Sequence, residues 1–215
     1  MLRMRRMMLA GLMLLVSQSH AAGVATLQSG HGQQKVTITV EYDDQNRVRM
    51  NMPQNDEGSG FMLAKDGKVW IVVDVQGQTM VMDVAQMAAM GSANNDDTLV
   101  QEFISAKPTG EKQTVAGFSG EVYELTWNDK GKIRTDKVVL SKDPVVVEYS
   151  NAWLTFAESM EKKVKNSIGQ HFRKAGLGLL KMGDEFQVVS IRPGKVNGQN
   201  FVLPTSTMQM PPMGR

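Results

Sequence analysis

The stretch Lys68–Val84, KVWIVVDVQGQTMVMDV, decides the fold class. It contains two apolar runs on either side of Gln76-Gly77, and its Val, Ile, Thr and Trp residues suit a pleated, half-buried surface. Because a glycine between two such runs is a hairpin signal, the pattern predicts an antiparallel strand pair. Val69–Val73 is almost continuously apolar, so we expect this strand to be central in its sheet and covered on both faces.

Apolar and polar residues also alternate on both sides of this hairpin. Period two is the signature of a half-buried strand, and short turns between strands favour an antiparallel meander. The chain therefore has the pattern of a mainly antiparallel α+β domain with about 10–11 strands. The further predicted strands are Lys35–Tyr42, Arg47–Met52, Phe61–Ala64, Gln113–Phe118, Glu121–Trp127, Ile133–Ser141, Val145–Tyr149, Glu185–Ile191 and Asn200–Leu203.

Two short segments have helix-start signals. Asp83 suits an N-cap, and Gln86 stands where its capping-box partner would, which predicts a helix over Val84–Met90. Thr98 begins a second capping-box pattern, and Lys107-Pro108 would end the helix that follows it.

A third helix is predicted over residues 151–181, where apolar residues recur every three or four positions. A straight helix of this length would be as long as the domain is wide, so we expect a bend at Gly169 or at the Gly176/Gly178 pair. Together the three helices are the covers available for the apolar face of the sheet.

The beginning of the chain has the pattern of an export signal. Arg3, Arg5 and Arg6 precede an apolar run over Met7–Val16, and small residues suitable for a signal peptidase end at Ala21. The run is shorter than the roughly 20 residues that span a bilayer. We therefore expect a signal peptide over 1–21 and a periplasmic protein without an integral membrane anchor. A flexible lead (22–33), one domain (34–204) and a Met- and Pro-rich disordered tail (205–215) are expected to follow.

Composition narrows the classes of function. The chain contains no cysteine, which excludes disulfides, thiolate metal sites and a lipidated N-terminal cysteine. Without the three leader arginines, 21 basic residues stand against 22 acidic ones, a net charge of −1. This balance offers no electrostatic reason to expect nucleic acid or anionic lipid as a partner.

Catalytic patterns are not recognised in the sequence. Beyond the leader the histidines are His31 and His171, which are too few and too far apart to supply a zinc site. The segment Gly117–Gly120 has the pattern of a hairpin turn and lacks the spacing of a nucleophile elbow. We therefore predict a protein that is not an enzyme and that needs no cofactor.

Two motifs resemble a known family. Pro108–Trp127, PTGEKQTVAGFSGEVYELTW, is similar to a strand pair of exported domains placed in the LolA-like superfamily of periplasmic lipoprotein carriers. Phe201-Val202-Leu203-Pro204 is similar to the F-x-L/V-P that closes such domains. The resemblance covers roughly residues 34–204 and implies an incomplete, or half, β-barrel whose concave face is covered by helices. The basic residue that faces the acyl cavity in the carriers has no assigned counterpart here.

A half-barrel with a helical lid would hold an apolar ligand, such as a lipid, an acyl chain or a lipoprotein. Each buried CH₂ contributes about 0.8 kcal/mol to binding, and the unbranched Met side chain adapts to varied apolar shapes. The same residues could instead fill the core of an envelope structural or interaction module. The candidate ligand-binding residues are Trp70, Met87, Met90, Trp127, Trp153, Phe156 and Met160.

The tail suggests a third function. Met208, Met210 and Met213 form M-x-M-x-x-M, and thioether sulfur is a soft ligand that favours Cu(I). In a chain that is rich in Met throughout, three clustered methionines also arise without a metal. The protein is expected to be a monomer with no nucleic-acid partner.

Overall fold

The computed structural model describes residues 22–30, 32, 34–53, 59–90, 101–129, 131–160 and 167–206, apart from the side chains at 88–90 and 101. Within these residues, 11 strands form one open sheet whose neighbours pair antiparallel, which confirms a mainly antiparallel α+β fold. The strands are β1 Gly23–Ser29, β2 Val36–Tyr42, β3 Val48–Asn51, β4 Ser59–Lys65, β5 Lys68–Val75, β6 Gln78–Asp83, β7 Gln101–Val115, β8 Phe118–Asp129, β9 Lys132–Ser141, β10 Gly178–Met182 and β11 Phe186–Pro193. The helices are α1 Val84–Met90, α2 Pro144–Met160 and α3 Ile168–Ala175, and Gly198–Phe201 forms a 3-10 helix.

The strand order is β6-β5-β4-β3-β2-β1-β11-β10-β9-β8-β7. Strand β1 is thus the middle strand and pairs with β2 on one side and β11 on the other. The prediction of a flexible lead over 22–33 is wrong for Gly23–Ser29. Ala25 and Leu27 are fully buried, and pairing on both sides satisfies the backbone of a short segment whose own pattern is weak.

The hairpin around Gln76-Gly77 forms as predicted, with φ of 51° and 78° at the two turn residues. Its position in the sheet differs from the prediction, because β5 lies next to the edge strand β6 and not at the centre. Each face of β5 is covered over only part of its length: Val69 and Val72 are buried, whereas Trp70 is partly exposed. A continuous apolar run can therefore come from a strand whose two faces are each partly covered, and not only from a central strand.

One predicted helix is a strand in the structure, and one predicted strand is part of a helix. The predicted second helix, from Thr98 to Lys107-Pro108, is strand β7 from Gln101 onward, because pairing with β8 outweighs the local capping pattern. The predicted strand Val145–Tyr149 is the start of α2. Asp143 caps this helix by accepting the Val145 N–H over 2.9 Å, and a proline at the first helical position suits a helix start.

The long helix predicted over 151–181 is divided. Helix α2 ends at Met160, and α3 begins after Ser167, whose hydroxyl accepts the N–H of Gln170. Gly169 lies inside α3, whereas Gly176, with φ of 64°, ends it as a left-handed C-cap. The predicted strand Asn200–Leu203 overlaps the 3-10 helix instead.

Two hydrophobic clusters lie on opposite faces of the sheet. Val122 belongs to the first cluster, which includes the buried face of α2, whereas Leu125 and Trp127 of the same strand belong to the second, which includes α3. Alternate residues of a strand point to opposite faces, so the two helices cover different sides of the sheet at β8. No helix within the described ranges is long and apolar enough to cross a membrane.

Strands β10 and β11 diverge where α2 packs against the sheet. Strands β10 and β11 pair only at Lys181↔Gln187 and Met182↔Phe186 among the described residues. Nearer the start of β10, the Leu179 N–H donates to the Ser150 hydroxyl over 2.8 Å. Helix α2 therefore lies beside β10 and supplies a side-chain acceptor where a strand would have supplied a carbonyl.

Candidate functional site

On the face of β2–β6 that packs against α2, cross-strand pairing arranges the side chains in rows that run from strand to strand. The row nearest α2 is Tyr42↔Val48↔Ala64↔Val69, and all four residues are buried. They share the first cluster with Val146 and Tyr149 of α2. This row is ordinary hydrophobic core.

The next two rows of the same face are also apolar, but their side chains are only partly buried. Met50 pairs with Met62, which pairs with Ile71, which pairs with Met82. One row further out, Val73 pairs with Met80. Each of these side chains, and that of Met52, is partly exposed. We name this set the methionine face: Met50, Met52, Met62, Ile71, Val73, Met80 and Met82.

Gly60 makes room for this surface. A Cβ at position 60 would lie 2.7 Å from the terminal methyl of Met52 and 2.7 Å from the Val72 carbonyl oxygen. The absence of a side chain therefore lets Met52 lie across β4. This contact places Met52 on the same face as Val73, the strand partner of Gly60.

The methionine face is large enough to bind an apolar group. Four strands about 4.8 Å apart and two rows about 6.8 Å apart give an area on the order of 250 Å². Burying its exposed part would contribute at most about 6 kcal/mol, at about 25 cal/mol per Å². Five of the chain's 17 methionines lie on this face, and their flexible side chains can adapt to different shapes.

One predicted ligand residue, Trp153, packs against the same cluster as part of this surface. Trp153 of α2 is partly buried and packs against the first cluster, as do Met50 and Met62. Its ring stacks on that of Phe156, with centroids 6.1 Å apart. Phe156 itself is buried and belongs to the core. Trp153 therefore shares a cluster with part of the methionine face, and Phe156 packs beside its ring.

The other two tryptophans lie elsewhere, so the prediction of one shared cavity is wrong for them. Trp127 is buried in the second cluster, which lies on the opposite face of the sheet. Trp70 pairs with Leu63 and Asp83, and alternation along β5 places it opposite Val69 and Ile71. Periodicity identified these tryptophans as inward-facing but could not indicate which face of the sheet was inward.

The predicted methionines fall into two groups. Met87 of α1 and Met160 of α2 are each 42% exposed. The side chain of Met90 and the tail residues Met208, Met210 and Met213 lie outside the described residues. Within the described part of the chain, no group of three or more His, Cys, Asp or Glu side chains could hold a metal ion.

A small cavity lies between the β2–β3 turn and α2. It has a volume of about 110 Å³ and is lined mainly by polar residues, among them Asp43, Glu148 and Asn151. At about 30 Å³ per water molecule it could hold three or four waters, which is too little space for an acyl chain. This cavity is therefore not the apolar site.

The ring of Tyr42, which lines this cavity, lies 6.5 Å from the ring of Tyr149, centroid to centroid. Both tyrosines are buried, and their hydroxyl groups have no hydrogen-bond partner among the described residues. Burial, and secondarily the charge of Glu148, raises the pKa of Tyr42 to about 12. Burial, and secondarily Tyr42, also raises the pKa of Tyr149 well above its usual range. Both phenols therefore stay neutral at physiological pH.

The opposite face of β2–β6 is crossed by the segment Gly198–Ser206, which we name the strap. Arg49 donates through Nη1 to the Asn200 carbonyl over 3.0 Å, and Asn200 donates to Glu41 over 2.5 Å. Burial lowers the pKa of Arg49, and Glu41 partly offsets this effect. Because Arg49 is held against the strap, it does not supply a positive charge to the methionine face.

His171 is exposed and stacks on Phe103 with ring centroids 3.5 Å apart. It lies on α3, away from the methionine face. His31 lies outside the described residues.

Sequence reasoning missed most of the methionine face, although part of the signal was present. Alternation over Arg47–Met52 places Met50 and Met52 on one side, and alternation in β6 places Met80 and Met82 on one side. Only the strand register shows that both pairs lie on the same face. Comparisons of the chain with protein-family models, with curated proteins and with solved structures give no match.

Proposed function

We propose that the protein is an exported, non-enzymatic binding or carrier protein for an apolar ligand or a lipidated partner in the periplasm. The observation that carries this proposal is the methionine face. It continues the core of the sheet beyond the cover of α2, and its side chains remain partly exposed. Contiguous apolar patches on the surface of a soluble protein often mark a site that binds a ligand or a partner.

The resemblance to the LolA-type carriers adds a shape to this proposal. The 11-stranded sheet is open, which is compatible with a half-barrel. In this proposal β2–β6 form the wall of the concave side, and α2, which carries Trp153, forms the cover. The ligand would lie on the methionine face, between the wall and the exposed methionines Met87 and Met160.

The side chains of the methionine face indicate the class of ligand. Thioether and aliphatic side chains offer neither a charge nor a strong hydrogen-bond donor, so recognition would depend on burial of CH₂ groups. A lipid or acyl chain of varied length suits such a surface, because flexible methionines repack around it.

Binding can be tested directly on the mature protein. Native mass spectrometry of protein isolated from its own periplasm should show a retained lipid mass. Titration of delipidated protein with a fluorescent fatty acid should give saturable binding. If no lipid is retained and the probe does not bind, the proposal fails.

One observation favours a second function. Phe156 and Trp127, both predicted as ligand residues, are buried within the two clusters and fill space in the core. A module with a filled core would use its surface to contact another envelope protein. Photo-crosslinking in cells from position 80, on the methionine face, separates the two functions: an adduct with a different, unlipidated protein supports the module, and an adduct with a lipid or a lipoprotein supports the carrier.

A further inference from the structure

The two edges of the open sheet differ. Strand β7 at one edge is irregular: its register with β8 shifts at Phe103/Ser105 and again at Pro108/Lys112, and it contains a proline. Such features prevent the pairing of an edge with another chain. Strand β6 at the other edge pairs with β5 without a shift from Asp83 to Gln78. Between its first and last residues it has no charge and no proline.

The turn of the β5–β6 hairpin shows which backbone groups point away from the sheet. Gln76 and Gly77 both have positive φ, as in a two-residue type I′ turn, in which the flanking residues Val75 and Gln78 form a hydrogen-bonded pair. Pairs alternate along an antiparallel ladder. Val81 is therefore in a non-hydrogen-bonded pair with Val72, so its N–H and C=O point outward.

The outward N–H and C=O of Val81 have no partner among the described residues. The strap reaches this edge two residues away, where the Ser206 hydroxyl donates to the Thr79 carbonyl over 3.4 Å. The methionine face continues to the same edge, since Met80 and Met82 flank Val81 and point to that face.

We infer that β6 pairs antiparallel with β6 of a second copy of this chain, with the two-fold axis at Val81. A strand added to this edge must have apolar residues on one face at every second position. β6 itself meets this requirement, since Met80 and Met82 alternate with Thr79 and Val81. An antiparallel pair of identical strands is also self-complementary, as a two-fold interface must be.

The pairing has a defined register. Val81 exchanges two backbone hydrogen bonds with Val81 of the partner subunit. Met80 lies opposite the partner's Met82, and Met82 lies opposite the partner's Met80. The two methionine faces then form one continuous apolar surface. A strand pair buries less than a standard interface, so the dissociation constant should be micromolar.

The oligomeric state of the full mature chain tests this inference. Sedimentation velocity between about 1 and 300 μM should show a reversible monomer–dimer equilibrium. Val81→Pro removes the outward N–H and is expected to shift the midpoint at least tenfold, while the melting temperature changes little because proline is tolerated on edge strands. Val81→Lys, which places a charge on the edge, is a second variant in case the first fails to fold. Val189→Lys, at a residue that is 49% exposed in β11, is the matched control.

The lack of cysteine allows a test of register. Hydrogen-bonded partners have Cα atoms about 5.5 Å apart, within the range of a disulfide. Val81→Cys should therefore form a covalent dimer on mild oxidation. Thr79→Cys should not, because a two-fold axis at Val81 separates the two copies of residue 79 by four residues, about 13 Å.

A wild-type chain that stays monomeric to 300 μM would overturn the inference, as would equal cross-linking of the two cysteine variants. Dimerisation that appears only after deletion of residues 207–215 would show that the chain's own tail occupies the β6 edge. That result would also overturn the inference. If the monomeric Val81→Lys variant binds fatty acid, the proposed function holds whether or not the wild-type chain forms dimers.

Discussion

Gly178 at the start of β10 lies against the backbone of Val146 in α2. A Cβ at position 178 would stand 2.5 Å from the Val146 carbonyl oxygen and 2.8 Å from the Val147 nitrogen. Because the neighbours are backbone atoms of a helix, they cannot rotate away. This contact lets α2 pack beside β10 where β10 and β11 diverge.

Gly178→Ala is therefore expected to lower the free energy of unfolding by about 1–3 kcal/mol, the usual cost of overpacking. Urea denaturation of the purified variant measures this change. Gly198→Ala is the control, since a Cβ there has no neighbour within 4 Å. Equal stabilities of the two variants would show that α2 can move away from β10.

Removal of β1 should unfold the domain. The strand is in the middle of the sheet and supplies the buried residues Ala25 and Leu27. A chain that begins at Ala22 retains it, whereas one that begins at Gln34 leaves β2 and β11 unpaired on the sides that β1 occupies. Circular dichroism should show a cooperative transition for the first chain and none for the second. Cooperative unfolding of the shorter chain would contradict the position of β1.

Phe201 should hold the strap to the sheet. Its ring is fully buried, and the guanidinium of Arg47 lies 4.8 Å from its centroid. Phe201→Ala is expected to cost about 3–5 kcal/mol, as for other buried aromatic residues. Val202→Ala, at a neighbouring residue that is 51% exposed, should cost less than about 0.5 kcal/mol. Chemical denaturation measures both, and limited proteolysis should cleave the strap of the Phe201 variant faster.

Alkaline pH should destabilise the protein through Tyr42. The pKa of this phenol is raised to about 12 in the folded chain, against an ordinary value of 10.0. Above pH 10 the unfolded chain loses its proton first, so the free energy of unfolding falls as pH rises. The stability present below pH 10 is lost by pH 12, a change on the order of 2–3 kcal/mol from this residue.

Urea denaturation at intervals from pH 8 to 12 tests this dependence. Tyr42→Phe should make the curve less steep over that range. At neutral pH the same variant should be as stable as the wild type or more stable, because it removes a buried hydroxyl without a partner. A variant whose alkaline curve matches that of the wild type would exclude Tyr42 as the cause.

Polar substitutions on the methionine face should weaken ligand binding under the proposed function. Met62→Gln and Met82→Gln preserve side-chain length while removing apolar surface. Burial of the whole face contributes at most about 6 kcal/mol over its seven side chains, so each change should weaken the affinity for a fluorescent fatty acid by roughly threefold to fivefold. Val189→Gln is the control, at an exposed residue outside this face. Unchanged affinity in both Met variants would place the ligand elsewhere.

Features that depend on neighbours along the chain could be predicted from the sequence. Alternation identified β2, β3, β8 and β9, and the predicted Gln76-Gly77 turn forms with positive φ at both residues. Tight turns of this kind depend on local backbone freedom, which is a property of the residues themselves. The mainly antiparallel class followed from the same signals.

Features that depend on distant partners could not be predicted and are visible in the folded chain alone. Gly23–Ser29 becomes the middle strand because β2 and β11 pair with it, and Gln101–Val115 becomes a strand because β8 pairs with it. Likewise, strand register alone brings the methionines of β3, β4 and β6 to one face. Backbone pairing between distant segments supplies hydrogen bonds and burial that outweigh weak local propensities, and a single strand's pattern shows that its faces differ without showing what covers them.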